Sequence, residues 1–181
     1  MLQFQSISKN FIYPCQLASL KQCSTTNIGV ALTHFIHTGW VKNTMTSTLV
    51  FDIAQFFPSL NHQLLSLIFD KVGFDPKVAS FFYNYLVGRK TQYFWNNFSS
   101  PLFNVNVGVG QRSAFSPILS ALYLALILHI LEKQLKNLKI SVFIFYFVNN
   151  GLLVAQNKLL TVSNSFLFCS YHITSSLVKK L

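Results

Sequence analysis

Carboxylates are scarce in this chain. Of 181 residues only Asp52, Asp70, Asp75 and Glu132 are acidic, against 14 Lys and Arg, for a formal net charge of +10. Four carboxylates leave few candidates for metal ligands or acid–base pairs. The positive surplus favours polyanionic partners, either nucleic acid or an anionic membrane surface. Cysteine is sparse too: Cys15, Cys23 and Cys169 are odd in number and lack Cys-x-x-Cys spacing. That argues against a disulfide scaffold or zinc site and suits a reducing, intracellular compartment, nucleus or cytoplasm. The first residues, Met1-Leu-Gln-Phe-Gln-Ser, hold no basic segment followed by an apolar one, so no secretory signal is expected. Internal repeats and low-complexity linkers are also missing. What the chain has instead is apolar mass: 51% hydrophobic residues, 19 of them Phe, with only 10% charged. Such a composition excludes intrinsic disorder and predicts a packed core, as one domain or two small lobes.

The most apolar run covers residues 114–131 and carries no charge, though it contains Pro117 and His129. It falls at the short end of the roughly 20 residues that a membrane span needs. It continues into Glu132-Lys133-Gln134 while keeping a helical apolar period at Leu128, Leu131, Leu135 and Leu138. A membrane span and a core helix with an amphipathic end both fit this pattern.

Elsewhere the periodicity predicts a helix from Ser24 or Thr25 to His37, closed by Gly39, with Ile28, Leu32, Phe35 and Ile36 on one face. Residues 48–54 read as a strand with Leu49, Phe51 and Ile53 on one side and Asp52 on the other. Pro58 and Ser59 stop that strand and open a helix with Leu60, Leu64, Leu67 and Ile68 inward, ended by Gly73. Asp75-Pro76 caps the next helix, which carries Phe81, Phe82, Tyr85 and Leu86 and closes at Gly88. Residues 89–95 are expected to pair as a strand with 102–107, and residues 141–148 with 152–155. The connecting Asn149-Asn150-Gly151 suggests a type I′ turn. A last helix is expected over 165–180.

Three segments in this order carry a resemblance. Phe51-Asp-Ile-Ala-Gln-Phe-Phe-Pro-Ser59 resembles motif A of a reverse transcriptase. Gly108-Val-Gly-Gln-Arg-Ser-Ala-Phe-Ser-Pro117 resembles motif B. Phe147-Val-Asn-Asn-Gly-Leu-Leu153 resembles motif C, whose usual core ends in two aspartates. Upstream, Leu20-Lys-Gln-Cys-Ser-Thr-Thr-Asn27 is similar to a fingers segment that normally reads Arg-Ser-Thr-Thr-Asp. The nearest likeness is to reverse transcriptases of fungal non-LTR (LINE-like) retrotransposons, over roughly residues 13–181.

The resemblance implies an α+β fold: a reverse-transcriptase palm over 48–181 with partial fingers over 1–47, its antiparallel sheet backed by helices, cut before the thumb. It also implies RNA-templated DNA synthesis from deoxynucleoside triphosphates on a primer. In that reaction two Mg²⁺ ions clamp the attacking hydroxyl, the triphosphate and the leaving oxygen. Asp52 matches the first metal ligand and the Ile53 carbonyl the main-chain one. Phe57 matches the gate against a ribose 2′-hydroxyl. Gln111 and Arg112 fall in the motif B loop beside the incoming nucleotide, with Arg112 standing where the family has Gly.

Both motif C aspartates are replaced, by Asn149 and Asn150. A carboxamide brings no negative charge to offset two divalent cations, so a loss of several kcal/mol of transition-state stabilisation is expected, about 10³-fold or more in rate. The expectation is a degenerate copy without polymerase activity, its Mg²⁺ not bound productively. Cys23, Asn27, Arg112, Phe115 and Ser141 look like further replacements, each reachable by a single transition, which fits directional mutation of an element copy.

Arg89 and Lys90 beside Tyr93 and Trp95 are candidates for contact with template or primer, or simply a solvated basic turn. His34 and His37 lack partners at metal spacing and read as ordinary helix positions. Two other readings are kept: a basic, membrane-associated helical protein using residues 114–131, and a non-functional relic with residual nucleic-acid binding.

Overall fold

The computed structural model describes residues 11–13, 15–17, 22–110, 113–139 and 142–180. The Gln111 and Arg112 assignments, Ser141, and Leu20 and Lys21 of the upstream fingers segment therefore lie outside the described residues.

Helix α1 runs over Thr25–Val41, its start fixed by Asn27, whose Oδ1 accepts the Ser24 N–H at 2.7 Å. Gly39 does not end the helix. It is buried within the last turn, where a Cβ would lie 2.8 Å from the Thr46 hydroxyl. Strand β1, Met45–Asp52, begins and ends earlier than its apolar pattern suggests. Gln55 in the left-handed region turns the chain into a one-turn helix, α2 (Phe56–Ser59). Asn61 then caps α3, His62–Val72, accepting the Leu64 N–H at 3.1 Å. Its inward face is His62, Leu65, Ile68, Phe69 and Val72, whereas Leu67, expected inside, is 63% exposed. The break at Leu60 shifts the helical phase and so moves the buried stripe.

Asp75 and Pro76 open α4, Pro76–Leu86, as expected, with the Asp75 carboxylate accepting the Lys77 N–H at 2.8 Å. The hairpin that follows is broken into two short ladders. β2 (Lys90–Thr91) pairs with β5 (Phe103–Asn104), and β3 (Phe94–Trp95) pairs with β4 (Phe98–Ser99). Helix α5, Ser116–Asn137, crosses the core. Among the described residues it is long and apolar enough to cross a membrane, but 61% of its most apolar stretch is buried in protein. Leu119, Leu122, Leu124, Leu128 and Leu131 are fully covered, which is the behaviour of a core helix.

β6 (Val142–Phe147) and β7 (Asn150–Asn157) complete a three-stranded antiparallel sheet in the order β1-β7-β6. The connection differs from the Asn-Gly turn that the sequence suggests. Asn150 and Gly151 are paired strand residues, opposite Phe147 and Tyr146, and the positive φ (58°) belongs to Val148. The three-stranded register decides this: Gly151 is needed opposite Phe51, whose ring would lie 2.3 Å from any Cβ there.

Helix α6, Leu160–Lys180, starts five residues before the expected 165 and packs on one sheet face with α5. Leu49, Leu153, Ile144 and Tyr146 lie on that side of the core, and Ser47 and Ser163 share a buried hydroxyl contact of 2.8 Å. The opposite face carries Phe145, Leu152 and Val154 under Ile28, Leu32 and Phe35 of α1. The architecture is α+β, a small antiparallel sheet backed by helices, as the sequence predicts.

Candidate functional site

Strand alternation puts Asp52 on the α1 side of the sheet, beyond the reach of α1, where Val50 is 71% exposed. Burial of a lone carboxylate is costly without donors or solvent. Asp52 has both: it is exposed, and the Asn149 side-chain amide donates to its Oδ1. Asp52 and Asn150 are direct register partners across β1 and β7, and the Ile53 N–H donates to the Asn149 carbonyl at 3.0 Å. Residues 97 positions apart are thus held at one sheet end. The amide orientation is fixed by chemistry, because turning the Asn149 oxygen toward Asp52 would set two acceptors against each other.

Phe57, on α2, is half-buried against Phe56, and its carbonyl accepts the Val109 N–H at 2.8 Å. The Leu60 carbonyl accepts the Gly108 N–H at 2.7 Å. The loop before α5 therefore docks by its backbone on the turn after β1. Gly108 permits the contact: at φ 81° it lies so close that a Cβ would be 2.5 Å from the Pro58 carbonyl oxygen. The Gly108 carbonyl in turn accepts from buried His62 Nε2 at 2.6 Å and from the Arg89 guanidinium at 2.8 Å. No sequence spacing links His62 to position 108, and this pair was missed for that reason. Arg89 also stacks over Tyr85, its guanidinium 5.7 Å from the ring centroid. Of the four candidate nucleic-acid residues, Arg89 is thus committed internally, while Lys90, Tyr93 and Trp95 are exposed.

An open cleft of about 390 Å³ adjoins Asp52, bordered by Ile53 and by Tyr171, Thr174 and Lys179 of α6. A larger groove of about 520 Å³ lies between Gln134 and Leu138 at the C-terminal end of α5 and His172 and Leu177 of α6.

The donor set does not fit a two-magnesium centre. Mg²⁺ takes hard oxygen ligands in near-octahedral array. Here one carboxylate faces a carboxamide that presents N–H, and no cluster of three His, Cys, Asp or Glu residues exists among the described residues. The sheet end brings together a carboxylate at the end of one strand, a hairpin tip beside it, and an adjoining apolar helical turn and glycine loop.

No family model and no curated protein matches the sequence. Among solved structures the chain is similar to telomerase from Candida albicans, described in complex with a fragment of telomeric RNA, with a TM-score of 0.60 over 91% of this chain at 12% identity. It is also similar to apo telomerase from Candida tropicalis, with a TM-score of 0.57 over 93% of this chain, again at 12% identity. The chain spans 30% and 35% of the length of those two proteins. Its fold, a small antiparallel sheet backed by helices, is reverse-transcriptase-like at a distance that sequence identity does not bridge.

Proposed function

We propose that this chain derives from a reverse transcriptase of the fungal non-LTR kind, retains affinity for nucleic acid and does not polymerise. The observation that carries the reading is the meeting of Asp52 with Asn149 and Asn150 at one sheet end, the positions where motif A and motif C are matched. With a single carboxylate, most of the positive charge of two divalent ions stays uncompensated, so neither metal is held productively. Nucleic-acid binding is supported by the net charge of +10 and by exposed Lys90, Tyr93 and Trp95. The family reading also supports an intracellular location and, as partners, an RNA template and DNA primer.

Primer extension on an RNA template tests the catalytic part. The chain as it stands is expected to give no product with Mg²⁺ or Mn²⁺ and all four deoxynucleoside triphosphates; measurable extension overturns the reading. Filter binding of RNA over a salt series tests the remainder. Affinity should fall steeply with salt, because neutralised phosphates release counterions. Absent or salt-independent binding removes nucleic acid as the partner.

A further inference from the structure

The hairpin between α4 and α5 presents aromatic rings that the core does not use. Tyr93 is 66% exposed, Phe94 72%, Trp95 77% and Phe98 62%. Large apolar side chains clustered on an exposed arm mark a binding surface more often than a structural one. The arm is also braced. Gln92 Nε2 donates to the Ser100 carbonyl at 2.7 Å, the Tyr93 and Ser100 backbones are tied at 2.9 Å, and the Arg89 carbonyl accepts the Val105 N–H at 2.8 Å. Arg89 pins the base to Gly108. Trp95 and Phe98 are direct register partners and share one face, while Tyr93 and Phe103 pack with ring centroids 5.9 Å apart.

Charge selects the occupant. Between Asp75 and Glu132 the sequence holds no acidic residue, only Lys77, Arg89, Lys90 and Arg112. Asn96, Asn97 and Ser99 lie among the rings and supply amide and hydroxyl groups. Of these cations, Lys90 is exposed where the hairpin begins, while Arg89 is bonded to the Gly108 carbonyl. Aromatic faces beside an exposed cation are how single strands are held without sequence preference, phosphates tracking the charge and bases stacking on the rings. A duplex offers no free base face.

We infer that the hairpin 90–104 is a stacking platform for single-stranded nucleic acid, with Trp95 and Phe98 as the principal rings. This rests on the nucleic-acid part of the function proposed above. The chain has two tryptophans, Trp40 and Trp95. In a Trp40→Phe background, Trp95 reports alone on a 12-nucleotide oligo(U) or oligo(dT) titration. Its fluorescence should be quenched to saturation, and a duplex of equal length should bind more weakly. Trp95→Ala with Phe98→Ala should weaken oligonucleotide binding by about 10-fold or more with little change in salt slope. Both side chains are exposed, so circular dichroism of the variant should match that of the parent.

If the folded protein binds with salt dependence but Trp95 is unquenched and the double variant is unaffected, the platform is refuted and the broader reading survives. If no oligonucleotide binds, both fall. If Trp95 responds to anionic vesicles or to protein concentration, and not to oligonucleotide, the arm serves a membrane or a second copy, and the inference is overturned.

Discussion

The Asn149 amide donates to the Asp52 carboxylate across the end of the β1–β7 ladder, so the sole acidic group at the sheet end is matched by a neutral donor. Aspartate at position 149 would replace that donation with repulsion. In metal-free buffer Asn149→Asp is expected to lower Tm by roughly 2–4 °C, the response to about 1 kcal/mol in a chain of this size. Millimolar Mn²⁺ should restore Tm for this variant, and more fully for Asn149→Asp/Asn150→Asp, because paired carboxylates make a site for a hard cation. The unmodified chain should not respond. An equal Mn²⁺-dependent rise in the unmodified protein would show that the amide does not prevent binding.

Gly108 and Gly151 are expected to resist substitution for different reasons. Gly108→Ala meets Pro58 backbone and a φ of 81° at once, and should cost on the order of 2–4 kcal/mol. Gly151→Ala meets the Phe51 ring as its nearest neighbour, and should cost about 1–3 kcal/mol. Adding Phe51→Leu should recover much of the second loss and none of the first. Urea midpoints at constant m-value measure both.

His62 and Arg89 converge on one acceptor, the Gly108 carbonyl. Removing either leaves the other bond, so His62→Ala or Arg89→Met should each cost about 1–2 kcal/mol. The double variant leaves a buried carbonyl unpaired, and should cost more than the two singles added. A double-mutant cycle reads this as a coupling energy of at least about 0.5 kcal/mol; strict additivity would mean that the carbonyl is served otherwise.

The Tyr146 hydroxyl is buried and lacks a hydrogen-bond partner among the described residues. Tyr146→Phe discards an unsatisfied group and should be neutral or stabilising. Burial pushes the Tyr146 phenol well above the usual tyrosine value, and burial, then Glu132 and Cys15, pushes Tyr13 up to about 12. The unfolded chain therefore releases these protons first, near pH 10. Their contribution is intact below that pH and is lost as pH rises toward the folded values. Stability should fall above pH 10, and the fall should be shallower in Tyr146→Phe. A parallel decline in both proteins would show that Tyr146 does not titrate in this way.

Sequence alone determined the local devices: the Asp75-Pro76 helix start, the left-handed Gly73 stop, the strand around Asp52 and the long apolar helix. Each follows from residues within one or two turns, where capping, ring constraint and periodicity act. It also determined that position 52 is acidic while positions 149 and 150 are not. Tertiary structure decided whatever depended on residues far apart. It moved the hairpin turn to Val148, because Gly151 had to lie under Phe51. It turned Leu67 outward, because the Leu60 break reset the helical phase. It took Arg89 from the surface to the Gly108 carbonyl, and it placed the 114–131 run inside protein. A one-residue change of register exchanges the faces of a strand, and only the partner strands and the covering helices select between those registers.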